Sequence, residues 1–564
     1  MSTLERCQLG RSGLLGRPIL ATVWLSTLFS VAGCKVGPEY IRPTADVSDK
    51  WLDIKSATIS RADDNAGWWK AFDDPTLNRL VDQAVTQNLT LRQAGLRVIQ
   101  ARALRGVVVG QFFPQTQAAT GQASNNRISK NSPAAQGDRS YRDYSLGLEE
   151  AWELDFWGKF RRGIESADAS LDASVADYDQ ALVMLVADVA LDYVLIRSLQ
   201  MQLDNTRANV KSQQDTLALT QVRFNAGAVS ELDVSTARAT LSNTQSLVPQ
   251  LEDSLRQTKL ALCVLLGRTP SELEAELVGE RRVPAPPQDI ALGIPADLLR
   301  RRPDVRSAER TAAALSAQIG VATADLYPSV SIKGQTGFHT STFQSPGLSP
   351  HAHNLLDANS FEGFVGLDVN WPILNYGRIT NNIRVADARF QEAKVSYQQT
   401  VLQAAADVEG GLSTFLRSRE RTASLAESVT AAQRTVELSL IQYRQGATDF
   451  LRVNQAQVDL VNRQNDLVVS RASVAQGAIT TYRALGGGWE VRSGAEFVPQ
   501  QTIDEMRGRT DWGDILSSSY ERDKDFFLFN RPKRGASTQA APLREATPLP
   551  APAQQQETQH DNPK

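Results

Sequence analysis

Few side chains of this sequence are placed to do chemistry. The four histidines, His339, His351, His353 and His560, stand in a strand end, a loop and a tail, where no helical spacing sets a metal triad. No G-x-S-x-G, phosphate-cradling P-loop or H-E-x-x-H occurs. Neither catalysis nor a metal site is expected. Cys34 differs. Arg6, Arg11 and Arg17 precede a short apolar run that closes on Val31-Ala32-Gly33-Cys34. That is a secretory signal ending at a cysteine that can become an acylated N-terminus. Residues 1–33 are expected to be a lipoprotein signal peptide, with lipid on Cys34 as the only attached group and no cofactor. Because Lys35 rather than an aspartate follows, the outer membrane is the expected destination.

The elements that carry these residues follow from composition and periodicity. The chain has 564 residues and a formal net charge of −3, so it lacks the basic footprint of a nucleic-acid partner. Beyond the signal no stretch of ~20 apolar residues could cross a membrane as a helix. Cys7 leaves with the signal, which makes Cys263 a lone thiol on an apolar helical face and excludes an internal disulfide.

The main signal is a repeat. "WELDFWGKFR" from Trp152 returns as "WPILNYGRIT" from Trp371, 219 residues later. At the same offset "RFNAG" (Arg223 to Gly227) falls on "QYRQG" (Gln442 to Gly446), and Leu266-Gly267 falls on Leu485-Gly486. "FFP" at Phe112 pairs with "LYP" at Leu326 at an offset of 214. The chain is a tandem duplication with one short insertion or deletion between halves.

Each half begins with a helical pattern, about Pro75 to Gly110 and about Pro295 to Thr323. Two alternating runs follow. Val330, Ile332 and Phe338 oppose Ser329, Lys333 and Gln335, and Tyr144, Leu146, Leu148 and Trp152 oppose Ser145, Gly147 and Glu149. Period-two alternation marks a strand wetted on one side, and paired ~10-residue runs with long polar loops suit an outer-membrane barrel. A soluble hairpin would alternate in the same way. From Gly158 to Gly227, and from Gly377 to Gly446, no proline interrupts a helical pattern that would extend ~100 Å. A second helix returns from each glycine turn.

This places a first repeat at 34–280, comprising an N-terminal segment, a helix, a strand pair 111–152, a long helix 158–226 and a return helix 231–266. A linker at 281–294 leads to the second repeat at 295–490, with strand pair 328–372, long helix 377–445 and return helix 449–485. A C-terminal segment, 491–532, and a disordered Pro/Ala/Gln-rich tail, 533–564, complete the chain. Four strands per chain cannot close in lipid, where open edges leave amides unbonded. Two chains would give eight strands and three would give twelve, and the polar inward faces favour the wider barrel. Trp152-Gly158 and Trp371-Gly377 then mark strand-to-helix junctions, with Trp in the interfacial belt and Gly taking the bend.

At this point the sequence resembles the TolC-like outer-membrane efflux duct family, and its lipoprotein NodT/OprM-like subgroup. "GCKVGPEYIRP", "WWKAFDDPTLNRLVDQA", "RRPDVRSAE" and "YRALGGGW" carry the resemblance, which covers roughly residues 34 to 490. It implies an α+β membrane protein: a homotrimer with a 12-stranded outer-membrane β-barrel continued by a periplasmic α-barrel, with the N-terminal segment and the C-terminal segment 491–532 in an equatorial belt around it. It further implies a passive conduit that exports small molecules from a proton-driven, RND-type inner-membrane pump through a periplasmic adaptor protein. The family's tip motif falls on Phe224 with Gly227 and on Tyr443 with Gly446, where an adaptor would dock. Asp233 matches the acid that often follows the tip, whereas Arg452 and Gln455 depart from the acidic pattern in the second half. Because Asp233 and Arg452 are equivalent positions, a trimer would alternate them around one level, and pairing there would form a latch. A protein-secretion duct and a structural coiled-coil lipoprotein are the competing readings; the duplicated strand pairs disfavour the second.

Overall fold

The computed structural model describes residues 35–45, 47–48, 50–52, 66–131, 139–270, 273, 275–277, 279, 281–287, 300–343, 355–492, 495–517 and 520. The signal, Cys34, the tail, His351, His353 and His560 lie outside the described residues, as do parts of the linker and of both strand loops.

The first repeat runs α1 (Pro75–Gln87), α2 (Leu89–Gly110), β1 (Thr116–Arg127), β2 (Ser140–Glu153), α3 (Lys159–Asn225) and α4 (Glu231–Leu265). The second runs α5 (Pro303–Ala324), β3 (Ser329–Ser341), β4 (Phe361–Asn370), α6 (Arg378–Arg444) and α7 (Phe450–Ala484), and α8 (Gln500–Arg509) follows. Both long helices have 67 residues, about 100 Å of α-helix each.

Where one helix was expected from about Pro75 to Gly110, there are two. Asn88 is extended (ψ 128°), and its side chain accepts from Leu91 N at 2.8 Å, so it caps α2. Its amide also donates to Leu265 O, at the end of α4, at 2.8 Å. In the second repeat Arg300 and Arg301 are helical, Arg302 ahead of the proline is held extended (ψ 130°), and α5 begins at Pro303. The Arg302 side chain, 7% exposed, donates to Ala484 O at 2.7 Å and pairs with Asp304 at 2.7 Å, tying the start of α5 to the end of α7.

The core lies where α1 and the ends of α4 and α7 surround the middle of α3. Leu182, Val186, Ala190 and Tyr193 are buried there with Leu77, Leu262 and Ile479. Trp68 stacks on Tyr482 with centroids 5.4 Å apart, so "WWKAF" and "YRALGGGW" meet although they are far apart in sequence. Cys263, which is not disulfide-bonded, is buried in this core. The C-terminal segment packs rather than trails. Val498, Ile503, Met506 and Leu516 close over Ile99 of α2, and Arg102 donates to Ile515 O and Ser517 O, both at 2.8 Å.

The four strands form one antiparallel sheet in the order β1-β2-β3-β4, so β1 and β4 are its open edges. Register aligns the alternation across all four. Leu146 faces Gly121 on β1 and Phe338 on β3, and Phe338 faces Phe361 on β4. The strands are shorter than the strand-pair bounds because residues 111–115 turn out of α2 before β1 begins.

Candidate functional site

The sheet has two chemically distinct faces. One carries Leu146, Leu148, Phe361, Val365, Leu367 and Val369, all exposed although apolar. The other carries Lys333, paired with Asp368 at 3.2 Å, and His339, 3.9 Å from Glu362. A wall with one greasy and one charged face separates lipid from water. Among the described residues no helix is long and apolar enough to cross a membrane, and no cluster of His, Cys, Asp or Glu could hold a metal ion.

The junctions repeat in detail. Trp152 Nε1 donates to Phe112 O at 3.1 Å, and Trp371 Nε1 donates to Leu326 O at 3.0 Å, so each Trp braces its strand against the end of the preceding helix. Trp152 lies within β2, whereas Trp371 lies one residue beyond β4. Gly158 (φ 74°) and Gly377 (φ 80°) then take the left-handed conformation that redirects the chain into α3 and α6, a conformation that other residues adopt only at a cost. The N-terminal strap meets the first junction. Lys35 lies against Gly158, where a Cβ would come within 3.0 Å of the Lys35 Cα. The fully buried Arg162 side chain donates to Val36 O at 3.1 Å and to Glu39 Oε1 at 2.8 Å.

At the far ends of α3 and α6 the tip glycines are equivalent. Gly227 (φ 72°) and Gly446 (φ 76°) each close a Schellman turn, with Ala228 N donating to Arg223 O and Ala447 N to Gln442 O, both at 2.9 Å. The tip aromatics are not equivalent. Phe224 is 37% exposed, whereas Tyr443 is 1% exposed, packed on Phe450 with Ala237 and Val453.

The gate candidates serve first as local caps. Asp233 Oδ2 accepts from Ser230 N and Ser230 Oγ, both at 3.1 Å, in a capping box that starts α4. Arg452 N donates to the α7 cap Asp449 at 3.2 Å. The Arg452 and Gln455 side chains are exposed. Among the described residues no ion pair joins Asp233 to Arg452 within one protomer. Sequence reasoning missed the contact between the hairpins, a ladder of neutral polar groups. Asn209 donates to Gln464 at 2.7 Å, Gln457 to Thr216 at 2.8 Å, and Thr240 to Asn454 at 2.6 Å. Higher on α3, burial and then the neighbouring Asp188 raise the Asp192 pKa to about 6.

A duplicated amphipathic strand pair that turns at a glycine into a helical hairpin with a 67-residue first arm defines a subunit of an outer-membrane channel reaching into the periplasm. The chain belongs to the outer membrane efflux protein family, whose profile matches residues 80–268 and 294–487, one block per repeat. It is similar to nodulation protein T of Rhizobium leguminosarum bv. trifolii, 32% identical over 481 residues, which are 85% of this chain and 97% of that one. The pyoverdine export outer membrane protein OpmQ of Pseudomonas putida is 31% identical over 447 residues, covering 78% and 92%. Among solved structures, the outer-membrane channel OprN superposes with a TM-score of 0.74 at 35% identity, covering 81% of this chain and all of that one. The chain is an outer-membrane efflux channel of the NodT/OprM-like group.

Proposed function

We propose that the protein is the exit duct of a tripartite efflux system. It assembles as a homotrimer, in which three sheets close a 12-stranded barrel and α3, α4, α6 and α7 of each protomer build a 12-helix periplasmic tunnel. The observation that carries this reading is the sheet itself. It is apolar on one face, charged on the other and open at both edges, and such a sheet is tolerated in lipid only when closed. The duct is a passive conduit without catalysis, and an inner-membrane pump of the proton-driven RND type supplies the energy. A periplasmic adaptor docks at the tips marked by Phe224, Gly227, Tyr443 and Gly446. The cargo is small molecules, in keeping with the relative named for pyoverdine export. Lipid on Cys34 anchors the N-terminus, and the place of Lys35 beside the Gly158 junction supports an anchor at the membrane surface. Charges at Asp233 and Arg452, with Gln455 alongside, meet across neighbouring hairpins at the closed end.

Deleting the gene and profiling susceptibility tests the function. Sensitisation to dyes and antibiotics is expected. Loss of a secreted protein without sensitisation would favour a protein-secretion duct instead. Native mass spectrometry of the detergent-solubilised protein should give a trimer; a monodisperse monomer or dimer would remove the 12-strand closure.

A further inference from the structure

A cavity of about 660 Å³ lies beside the joint of α7 with α5, walled by α3, α6 and α7. It sits on the far side of these helices from the core. Leu182 of α3, Leu412 of α6 and Ile479 of α7 are buried in the core with Leu77 of α1, whereas Met184, Gly410 and Thr480 line the cavity. With the α1 packing outside the tunnel, the cavity is a recess in the wall of the bore. We infer that this recess binds an amphoteric small organic molecule, whose carboxylate is held by Arg483 and whose ammonium is held by Asp407. The inference rests on the exit-duct reading and adds the chemical class of cargo that pauses in the wall.

Two arginines line the recess, and only one has donors left over. Arg302 directs its guanidinium to Asp304 at 3.0 and 2.7 Å, Asp407 at 3.3 Å, Ala404 O at 3.3 Å and Ala484 O at 2.7 Å. The Arg483 side chain is 31% exposed and makes no hydrogen bond among the described residues. Its ion pair with Asp188, at 3.9 Å, is too long to be one. An open guanidinium fork in a partly buried wall suits a carboxylate, which it holds through two parallel bonds.

Asp407 is the acid with room. Its Oδ1 accepts from Gln403 at 2.8 Å and its Oδ2 from Arg302 at 3.3 Å. An ionised carboxylate accepts more bonds than these two, and Asp407 is 38% exposed, against 25% for Asp304. The charges lining the recess are Arg302, Arg483, Asp304 and Asp407. They balance, so a ligand with one charge of each sign leaves the recess neutral.

The floor holds a glycine that packing does not require. Gly411 and Gly477 let α6 and α7 touch, because an added Cβ would come within 2.8 Å of Thr481 and 2.6 Å of Phe415. Gly410, inside α6, has nothing within 4 Å of an added Cβ. Glycine in a helix interior is destabilising relative to alanine, and what this one keeps is open space. The first repeat shows the contrast. At the equivalent places, 219 residues earlier, Leu191 stands for Gly410, Leu195 for Thr414 and Val264 for Arg483. Open floor and cation occur together in the second repeat alone.

The test is equilibrium binding of norfloxacin, a fluorescent compound with one carboxylate and one ammonium, to the detergent-solubilised protein, with empty micelles as the blank. Saturable binding is expected. The ethyl ester and the N-acetyl derivative, each lacking one charge, should bind about ten-fold more weakly. Arg483→Gln should weaken norfloxacin by a similar factor and bind the ester equally well; Asp407→Asn should do the same with the N-acetyl derivative. Gly410→Leu, which fills the floor as Leu191 does, should abolish saturable binding, and Gly410→Ala should raise the thermal midpoint. No saturable binding, equal binding of all three compounds, or affinity unaltered in both charge variants overturns the site. A lowered midpoint in Gly410→Ala gives the glycine a packing role and removes that support. If the variants fail to fold, the three compounds on the native protein still decide. Binding is read on purified protein, so a deletion strain that is not sensitised refutes the duct reading separately.

Discussion

The Arg223 guanidinium lies 4.5 Å from the centroid of the Tyr443 ring and donates to the Tyr443 carbonyl, joining the tip of α3 to the tip of α6. The repeat places Gln442, which cannot make this contact, at the position equivalent to Arg223. The two tips of one protomer are therefore clasped on one side only. A cation over a partly desolvated ring is worth about 0.5–2 kcal/mol. Arg223→Ala should loosen the tip and raise single-channel conductance or open probability in planar bilayers, and Arg223→Lys should lie between the variant and the native protein. Native-like conductance in Arg223→Ala would show that the clasp does not restrain opening.

A second prediction concerns the charges beyond the glycine turns, at the starts of α4 and α7. If Asp233 and Arg452 pair between neighbouring hairpins, each exposed pair contributes about 0.2–1 kcal/mol and the ring sums several. Asp233→Arg should raise bilayer conductance, and the double swap with Arg452→Asp should restore the closed state. Asp233 also completes a capping box, so Asp233→Asn, which keeps much of the cap, separates loss of charge from fraying of α4. A swap that fails to rescue closure would place the constriction elsewhere.

The third prediction is a pH dependence. Burial and then Asp188 raise the Asp192 pKa from 3.8 to about 6, so between about pH 4 and 6 the folded chain holds a proton that the unfolded chain has lost. A carboxyl with a raised folded-state pKa destabilises once ionised, and stability falls as pH rises through about 6. Asp192→Asn should therefore raise the thermal midpoint at pH 7.5 relative to the native protein, with the advantage vanishing near pH 4. Because Asp192 is only partly buried, the expected gain is on the order of 1 kcal/mol. Equal midpoints at both pH values would contradict it.

The fourth prediction concerns the anchor. Cys34→Ser should abolish palmitate labelling and lipoprotein-type processing, while part of the efflux function survives, since a closed barrel holds the membrane far more firmly than lipid chains do. Labelling that persists in the variant would refute the lipid site.

The duplication, the two long hairpins, the glycine turns and the amphipathic strands were legible in the sequence because each is written locally. A helix without proline continues, a glycine that adopts positive φ ends or redirects it, and an alternating run declares its faces whatever it pairs with. For the same reason β2, β3 and β4 announced themselves, while β1, with Ala119, Gly121 and Ala123 on its apolar face, gave little signal until its register with β2 was seen.

The tertiary structure decided what local rules cannot. Asn88 breaks the first helix because the end of α4 supplies a carbonyl for its amide, and residues 498–517 pack where they do because Arg102 and Ile99 receive them. Equivalent residues also acquired different fates. Phe224 and Tyr443 occupy the same place in their repeats, yet one is exposed and the other buried under an arginine from the other hairpin. The sequence alone determined the long helices, the strand pairs and their order, because backbone preference and periodicity act over a few residues. Which side chains meet was left to packing, because that depends on neighbours hundreds of residues away, and at β1 and β4 on a second copy of the chain.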